Sequence, residues 1–250
     1  MTIILVDGDS KDKTVQIASN ILSKSNINFK IYSDSGQGLG AARQIVIDRA
    51  KSDYVIFVDG DVVLTKDFVK KQVAFMERNP KVGGAVGKYE YMNGSFVASL
   101  HNLYQTSTFD SYVGNDATIY RLNAVREVGG FDKNISGACE DIDLINRLEA
   151  NGWIFAVNKE AGFYHYCRET FQELWSEHVW YGKGGCYLIK KKGQKISWRQ
   201  SPFIVFAGGV KLALKAYKIM KKKASFFLPL ILLFENLAWW FGFIKAYLNK

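Results

Sequence analysis

The sequence predicts an α/β protein with a doubly wound, mostly parallel sheet, extended by a helical C-terminal tail. Three observations point there. Apolar runs of strand length alternate with amphipathic stretches of helix length from Thr2 to Arg78, the pattern of strands joined by crossover helices. One run, Tyr54-Val55-Ile56-Phe57-Val58, is apolar throughout, as in a strand covered on both faces. Charge is also split along the chain. Residues 181–250 hold 14 Lys or Arg against one acid, Glu235, a net +13 in a chain of +9, so residues 1–180 carry −4.

Thr2 to Val6 is the first strand, closed by Asp7-Gly8-Asp9-Ser10. Ser10 or Asp12 can cap the next helix, whose apolar residues are Val15, Ile17, Ala18, Ile21 and Leu22. Phe29 to Tyr32 is a second strand, and the glycine-rich turn Ser35 to Arg43 leads into a helix through Ala50. The buried strand follows, ending in Asp59-Gly60-Asp61, then a helix from about Asp67 to Arg78. Val82 to Tyr91 is a strand loosened by glycines, and residues 92–112 are a helix or a surface loop. Ala117 to Arg121 resumes a strand, and Gly129 to Asp132 is a turn. A helix from about Asp141 to Asn151 ends at Gly152, and Trp153–Val157 and Gly162–Tyr166 are short extended pieces. In the tail, a helix from about Pro202 to Lys223 carries Lys211, Lys215, Lys218 and Lys222 on one face, and Phe226 to Leu248 is long enough to span a bilayer.

At 250 residues, with 48% hydrophobic and 14% aromatic content, the chain can bury a sizeable core, which excludes disorder. Three cysteines without close spacing, Cys139, Cys167 and Cys186, indicate neither a disulfide framework nor a zinc site, so a reducing compartment is expected. Asp7, Asp9 and Asp12 fall where a signal peptide would be apolar. The tail is both basic and apolar, which favours an anionic membrane surface as partner; no nucleic-acid motif accompanies the charge. Glu235 and Asn236 sit at the middle of the last apolar stretch, where an ionised acid is costly in lipid, while Trp239 and Trp240 suit an interface. Two interfacial helices are therefore favoured over a true span. The expected organisation is a catalytic domain over 1–168, a joining, acceptor-side segment over 169–199, and amphipathic or membrane helices over 200–250.

Chemistry concentrates at three places. In open α/β sheets ligands bind beyond the carboxyl ends of the strands, where the central strand delivers Asp59 and Asp61. Paired carboxylates there suit Mg or Mn bridging a diphosphate, although a plain strand-end turn has the same composition. Gly36, Gly38 and Ala41 satisfy a G-x-G-x-x-A pattern between a strand and a helix, with Asp59 about 20 residues on. That leaves a dinucleotide (NAD or FAD) oxidoreductase as a competing reading. Glu140, Asp141 and Asp143 cluster at a helix start, where acids serve the helix dipole; because Glu140 and Asp141 are adjacent, one can face a cleft as a general base for a hydroxyl.

These residues also carry a family likeness. Val6 to Thr14 resembles the VDDGSTDGT segment of family 2 glycosyltransferases of the GT-A fold, and Gly38 to Arg43 is similar to their GLAAARN. Asp59-Gly60-Asp61 matches the D-x-D motif, Ala117–Arg121 and Val128–Asp132 resemble ALYRREALEEVGGFDE, and Glu140–Leu144 resembles GEDVDL. Tyr164-His165 followed by Trp180–Gly184 is similar to YH … RYGRG. The likeness runs from residue 1 to about 185. It implies a Rossmann-like nucleotide-binding GT-A enzyme that moves a sugar, with inversion, from a nucleotide-sugar to a lipid-linked or glycan acceptor at the cytoplasmic face of a membrane. In that scheme Asp7, Asp9, Arg43 and Asp59 serve the nucleotide, and Asp61 holds Mg or Mn with Asp59 beside it. Asp141, with Glu140 beside it, deprotonates the acceptor. His165 is either a further metal ligand or a satisfied structural histidine. Two departures stand out. The family pattern has a strand, turn and helix before the VDDGS segment, so here the sheet is expected to lack a strand and expose a neighbour's edge. The second acid of that segment stands at Asp9 instead of at Gly8. A catalytically inactive membrane-bound binding module remains a third reading.

Overall fold

The computed structural model describes residues 1–90, 92, 94–108, 116–135, 137–193, 195, 197 and 200–249. The chain begins β1 (Thr2–Asp7), α1 (Thr14–Ser23), β2 (Asn28–Ser33), α2 (Leu39–Arg49) and β3 (Tyr54–Val58). It continues β4 (Val62–Leu64), α3 (Phe68–Arg78), β5 (Val82–Tyr89), α4 (Phe96–Thr108), β6 (Ala117–Arg121) and α5 (Leu122–Glu127). Then come α6 (Glu140–Ala150), β7 (Ile154–His165), α7 (Phe171–Lys192), α8 (Pro202–Met220), a 3₁₀ turn (Lys223–Phe227) and α9 (Leu228–Leu248).

Two sheets form. β1 and β2 pair in parallel, and the other five strands lie in the order β3-β6-β5-β7-β4. The larger sheet is mixed and not mostly parallel: β5 and β7 run together, but β3/β6, β5/β6 and β4/β7 are antiparallel. An apolar run reports burial, not the direction in which it enters a sheet. β6 is buried at four of its five positions yet opposes both of its neighbours. Among the described residues β1 pairs only with β2, and β3 only with β6, so the strand edge expected to be exposed has no partner. The covering helix there is loose: α1 has no buried residue, and Ile17 and Ile21 stand in solvent. Its amide end is served by Asp12, whose carboxylate accepts from the Thr14 N–H at 2.9 Å, whereas Ser10 turns back to Asp7.

Other differences are local. The two extended pieces near 153–166 are one strand, β7, interrupted by a bulge where Gly87 faces Asn158 and Lys88 faces Gly162. The range 92–112 contains helix α4; Asn93 and residues 109–112, like Tyr91 at the end of the expected strand 82–91, lie outside the described residues. The three-residue β4 and the 22-residue α7 were not foreseen. Thr170 and Glu173 open α7 with a reciprocal capping box, a T-x-x-E signal present in the sequence.

Helices on both faces bury the large sheet. Ile47, Phe57, Tyr120, Phe131, Leu144 and Leu148 join α2 and α6 to β3 and β6. Phe68, Val86, Tyr89 and Phe163 fill the opposite side. A separate cluster fastens the tail: Leu100 and Leu103 of α4 and Leu174 of α7 pack against Ala213, Ala216, Leu228 and Ile231. α9 approaches α7 closely because Gly182 and Gly242 have no side chain; one on Gly182 would meet the Trp239 carbonyl, and one on Gly242 the Val179 carbonyl. Glu235 and Asn236 thereby face protein. Glu235 lies between His101 (3.2 Å) and His178 (3.7 Å), and Asn236 donates to the Gln200 carbonyl at 3.1 Å. Among the described residues Lys223–Leu248 is one stretch long and apolar enough to cross a membrane by length and composition; in its polar middle Glu235 is paired within the protein, while the Asn236 Oδ1 is buried without a hydrogen-bond partner.

Candidate active site

The register of the short strand β4 against β7 builds the first part of the site. β3 ends at Val58, and the turn that follows is tied by Asp59 N–H to the Asp116 carbonyl at 3.1 Å and by Val62 N–H to the Asp59 carbonyl at 3.2 Å. β4 then pairs antiparallel with β7 so that Val62 faces His165. The strand after Asp61 is thus matched with the strand carrying His165, and the side chains meet: His165 Nε2 lies 3.2 Å from Asp61 Oδ1. Tyr166 N–H donates to the Asp61 carbonyl at 2.8 Å, which brings Arg168 round to the other oxygen, Nη1 to Oδ2 3.5 Å. Burial pushes the Asp61 carboxyl up, but the hydrogen bond and charge of His165, aided by Arg168, outweigh it and hold it below the ordinary range. Burial likewise disfavours a charged His165, and the Asp61 hydrogen bond overrides it, raising the imidazole to about 11.

This pair fits a divalent cation in part. In this structure the 3.2 Å contact is a hydrogen bond between His165 and Asp61, so the imidazole would join Asp61 as a ligand only on giving up that proton, because metal ligands are deprotonated. No cluster of three or more His, Cys, Asp or Glu suited to a metal occurs among the described residues. The remaining ligands of Mg or Mn would then come from water and a phosphate group, the usual habit of Mg.

The second part is held by Arg43, 7% exposed on α2. Its guanidinium pairs with Glu140 through Nη1 and with Asp59 through Nη2 (3.0 Å), and it lies over the Phe57 ring at 5.9 Å. One arginine thus ties one strand-end acid, Asp59, to the start of α6. The two acids of the α6 pair separate in role. Glu140 is 2% exposed and committed to Arg43. Asp141 receives no side-chain ion pair among the described residues; its Oδ1 accepts from the Ile142 N–H at 2.7 Å. Burial raises the Asp141 carboxyl above the ordinary range, against the opposing charge of Arg43, and Asp116 adds to the rise. Asp59 is pushed up to about 6, by burial first, with Arg43 opposing, although 38% of its side chain meets solvent. Asp143 belongs to a structural network with Arg147 (2.8 Å) and Lys192 (3.4 Å).

Asp7 and Asp9 stand apart, on the smaller sheet. Asp7 accepts from Ser10 N–H (2.8 Å) and Oγ (2.6 Å), and Asp9 pairs with Lys11 (2.7 Å). The glycine turn is closed to a pyrophosphate in this conformation. Asp34 accepts from the Gly36 and Gly38 N–H groups, each at 2.8 Å, so the amides a dinucleotide would use already hold a carboxylate. That counts against the oxidoreductase reading. Sequence reasoning missed Arg168 and the residue that clasps it, Glu177 of α7 (2.9 Å); neither belongs to a recognisable motif. It also missed Asp116, whose carbonyl fixes Asp59.

Known proteins resemble the chain in sequence and in fold. The profile described as "Glycosyl transferase family 2" matches residues 1–135. An uncharacterized glycosyltransferase of Haemophilus influenzae is 36% identical over 77 residues, 31% of this chain and 31% of the relative. Glucomannan 4-beta-mannosyltransferase 7 of Arabidopsis thaliana is 27% identical over 188 residues, 68% of this chain and 34% of the relative. Poly-beta-1,6-N-acetyl-D-glucosamine synthase of Staphylococcus aureus is 25% identical over 201 residues, 73% of this chain and 47% of the relative. The chain thus spans between 31% and 47% of the length of these relatives. Among solved structures, the mannosyltransferase PcManGT of Pyrobaculum calidifontis, in complex with GDP-Man and Mn²⁺, superposes with a TM-score of 0.64 at 12% identity, covering 100% of this chain and 78% of that one. Staphylococcus aureus TarS 1–349 in complex with UDP-GlcNAc gives 0.53 at 15% identity, covering 100% and 83%. At these identities the likeness is one of fold, and it is the GT-A fold.

Proposed function

This chain belongs to glycosyl transferase family 2, and from that premise we propose that it transfers a sugar from a nucleotide-diphosphate sugar to an acceptor hydroxyl, with inversion. The observation that carries the reading is the Arg43 bridge: it joins Asp59, two residues before Asp61, to Glu140, the neighbour of Asp141. Asp141 is the general base. A carboxyl whose affinity for protons is raised by burial takes a hydroxyl proton more readily near neutral pH than an ordinary one. Glu140 and Arg43 hold the α6 start in place, and Arg43 fixes Asp59 where a nucleotide ribose would meet it. Asp61 and His165 hold Mg or Mn, which when bound neutralises the charge of the departing nucleoside diphosphate. Asp7 and Asp9, at the end of β1, contact the base.

The acceptor is lipid-linked or a growing glycan, reached at the cytoplasmic face of an anionic membrane. Exposed apolar residues support that partner: Phe203, Phe206, Val210 and Leu214 form a stripe on α8, and Leu230, Leu237, Phe241 and Ile244 one on α9. Such stripes beside lysines suit an interface. We retain the division into a catalytic domain over 1–168, a joining segment over 169–199 and a tail over 200–250.

Release of UDP or GDP from a panel of nucleotide-sugars, with and without Mn²⁺, tests the proposal. Release that needs the ion and disappears in Asp61→Asn supports it. Failure of every donor would leave the inactive-module reading in its place.

A further inference from the structure

Resting on the transferase reading, we propose that Arg168 is a built-in rival of the metal ion for Asp61, and that it transfers to the diphosphate when ion and nucleotide bind together. Arg168 lies between β7 and α7. The Tyr166 bond to Asp61 fixes the chain before it, and the Thr170 capping box fixes the chain after it. Its guanidinium is held unevenly. Nε and Nη2 both meet Glu177 Oε1 at 2.9 Å, and that carboxylate is only 12% exposed. Nη1 reaches Asp61 Oδ2 at 3.5 Å, and the arginine side chain is 40% exposed. The first contact has the length of a full charge-assisted hydrogen bond; the second is longer than such bonds run. Glu177 is therefore the pivot and Asp61 a weak latch.

Asp61 offers its two oxygens to two cations, Oδ1 to His165 and Oδ2 to Arg168. A divalent ion entering on the His165 side competes with the guanidinium for the same carboxylate and repels it. Freed of Asp61, Arg168 remains on its Glu177 pivot at the edge of the site, with a planar fork matched to phosphate oxygens. The two ligands thus affect Arg168 in opposite senses: it weakens the ion alone and strengthens the nucleotide once the ion is present. Glu177 acts as a positioning residue, through Arg168.

The full chain is titrated with Mn²⁺ alone, followed by electron paramagnetic resonance, and with UDP and GDP at saturating Mn²⁺, followed by calorimetry. Arg168→Gln is expected to bind Mn²⁺ alone about two- to fivefold more tightly, the release of a partly exposed ion pair. The same variant is expected to bind the better nucleotide about tenfold less tightly, the loss of a charged hydrogen bond. Glu177→Gln, which unpins the arginine, lowers nucleotide affinity without lowering Mn²⁺ affinity. Damage to the fold would lower both affinities together in Arg168→Gln, and that result, or an unchanged Mn²⁺ affinity, overturns the inference while leaving the transferase reading intact. If the wild-type chain binds neither Mn²⁺ nor either nucleotide, the transferase reading and this inference fall together.

Discussion

Replacing Glu235 by Gln should change how stability depends on pH, and the size of the change follows from one buried contact. His101 of α4 is 8% exposed; its Nδ1 lies 3.2 Å from Glu235 Oε1, and its Nε2 lies 3.1 Å from the Gln105 amide nitrogen. Burial alone would lower the imidazole. The hydrogen bond and charge of Glu235 override it, with help from Cys167 and Glu177, and raise His101 from 6.5 to about 9. Between those two values the folded chain holds a proton that the unfolded chain has released, so stability falls as pH rises. The contribution is complete below about pH 6.5 and is lost through about pH 9. At full strength it is about 3.4 kcal/mol, and about 2 kcal/mol of it remains at pH 7.5. By pH 9.5 almost none is left.

Glu235→Gln keeps the volume and removes the carboxylate that raises His101. Other groups that titrate over this interval are common to both proteins, so the difference between wild type and variant isolates the contacts of Glu235 with His101 and, at the longer 3.7 Å, His178. Urea unfolding of each, followed by tryptophan fluorescence, gives that difference at pH 7.5 and 9.5. The wild-type advantage should shrink by about 2 kcal/mol, or about 1 M in the urea midpoint for a typical slope. Curves that stay parallel over this interval would show that His101 does not hold its proton through Glu235, and the account of the buried tail cluster would be wrong.

Three further outcomes are expected. Asp141→Asn should lower turnover about 10²–10⁴-fold, the usual worth of a positioned base, while calorimetry shows nucleotide affinity unchanged. Gly182→Leu should lower stability by about 1–3 kcal/mol through overpacking, seen as a reduced thermal midpoint, because the new side chain meets the Trp239 carbonyl; an unshifted midpoint would mean that α9 does not pack there. Lys211→Glu with Lys218→Glu should weaken sedimentation with phosphatidylserine vesicles about tenfold or more at low salt, at about 1 kcal/mol per lysine. Both side chains are exposed on α8, whereas Lys215 donates to the Ser107 carbonyl at 2.8 Å and is a poorer choice. Equal binding by wild type and variant would argue against an anionic membrane as partner.

Legibility in the sequence followed the physics of each element. β3, α2, α3 and α6 could be read because their apolar spacing, glycine turns and flanking acids are local signals. The direction of β6 could not, since Ala117–Arg121 buries the same residues whichever way it runs. β4 escaped because three residues show no period, yet that strand's pairing sets His165 beside Asp61. The acid pair at α6 was visible, but which acid was free was not. That depended on Arg43, distant in sequence, choosing Glu140.

The same reasoning explains why the tail and the site could be recognised separately but not as neighbours. α7 joins them, and its periodicity is blurred because it is packed on several sides. Along its length Glu177 clasps Arg168, His178 meets Glu235, Gly182 admits α9, and Gly184 lies against the Ala138 carbonyl just before the α6 acids. A helix that serves four neighbours cannot keep one apolar stripe, so hydrophobic spacing, the strongest sequence signal for a helix, is weakest where the chain makes its most consequential contacts. Its reliable mark was the Thr170–Glu173 capping box, which depends on local backbone bonding and is indifferent to what the rest of the helix touches.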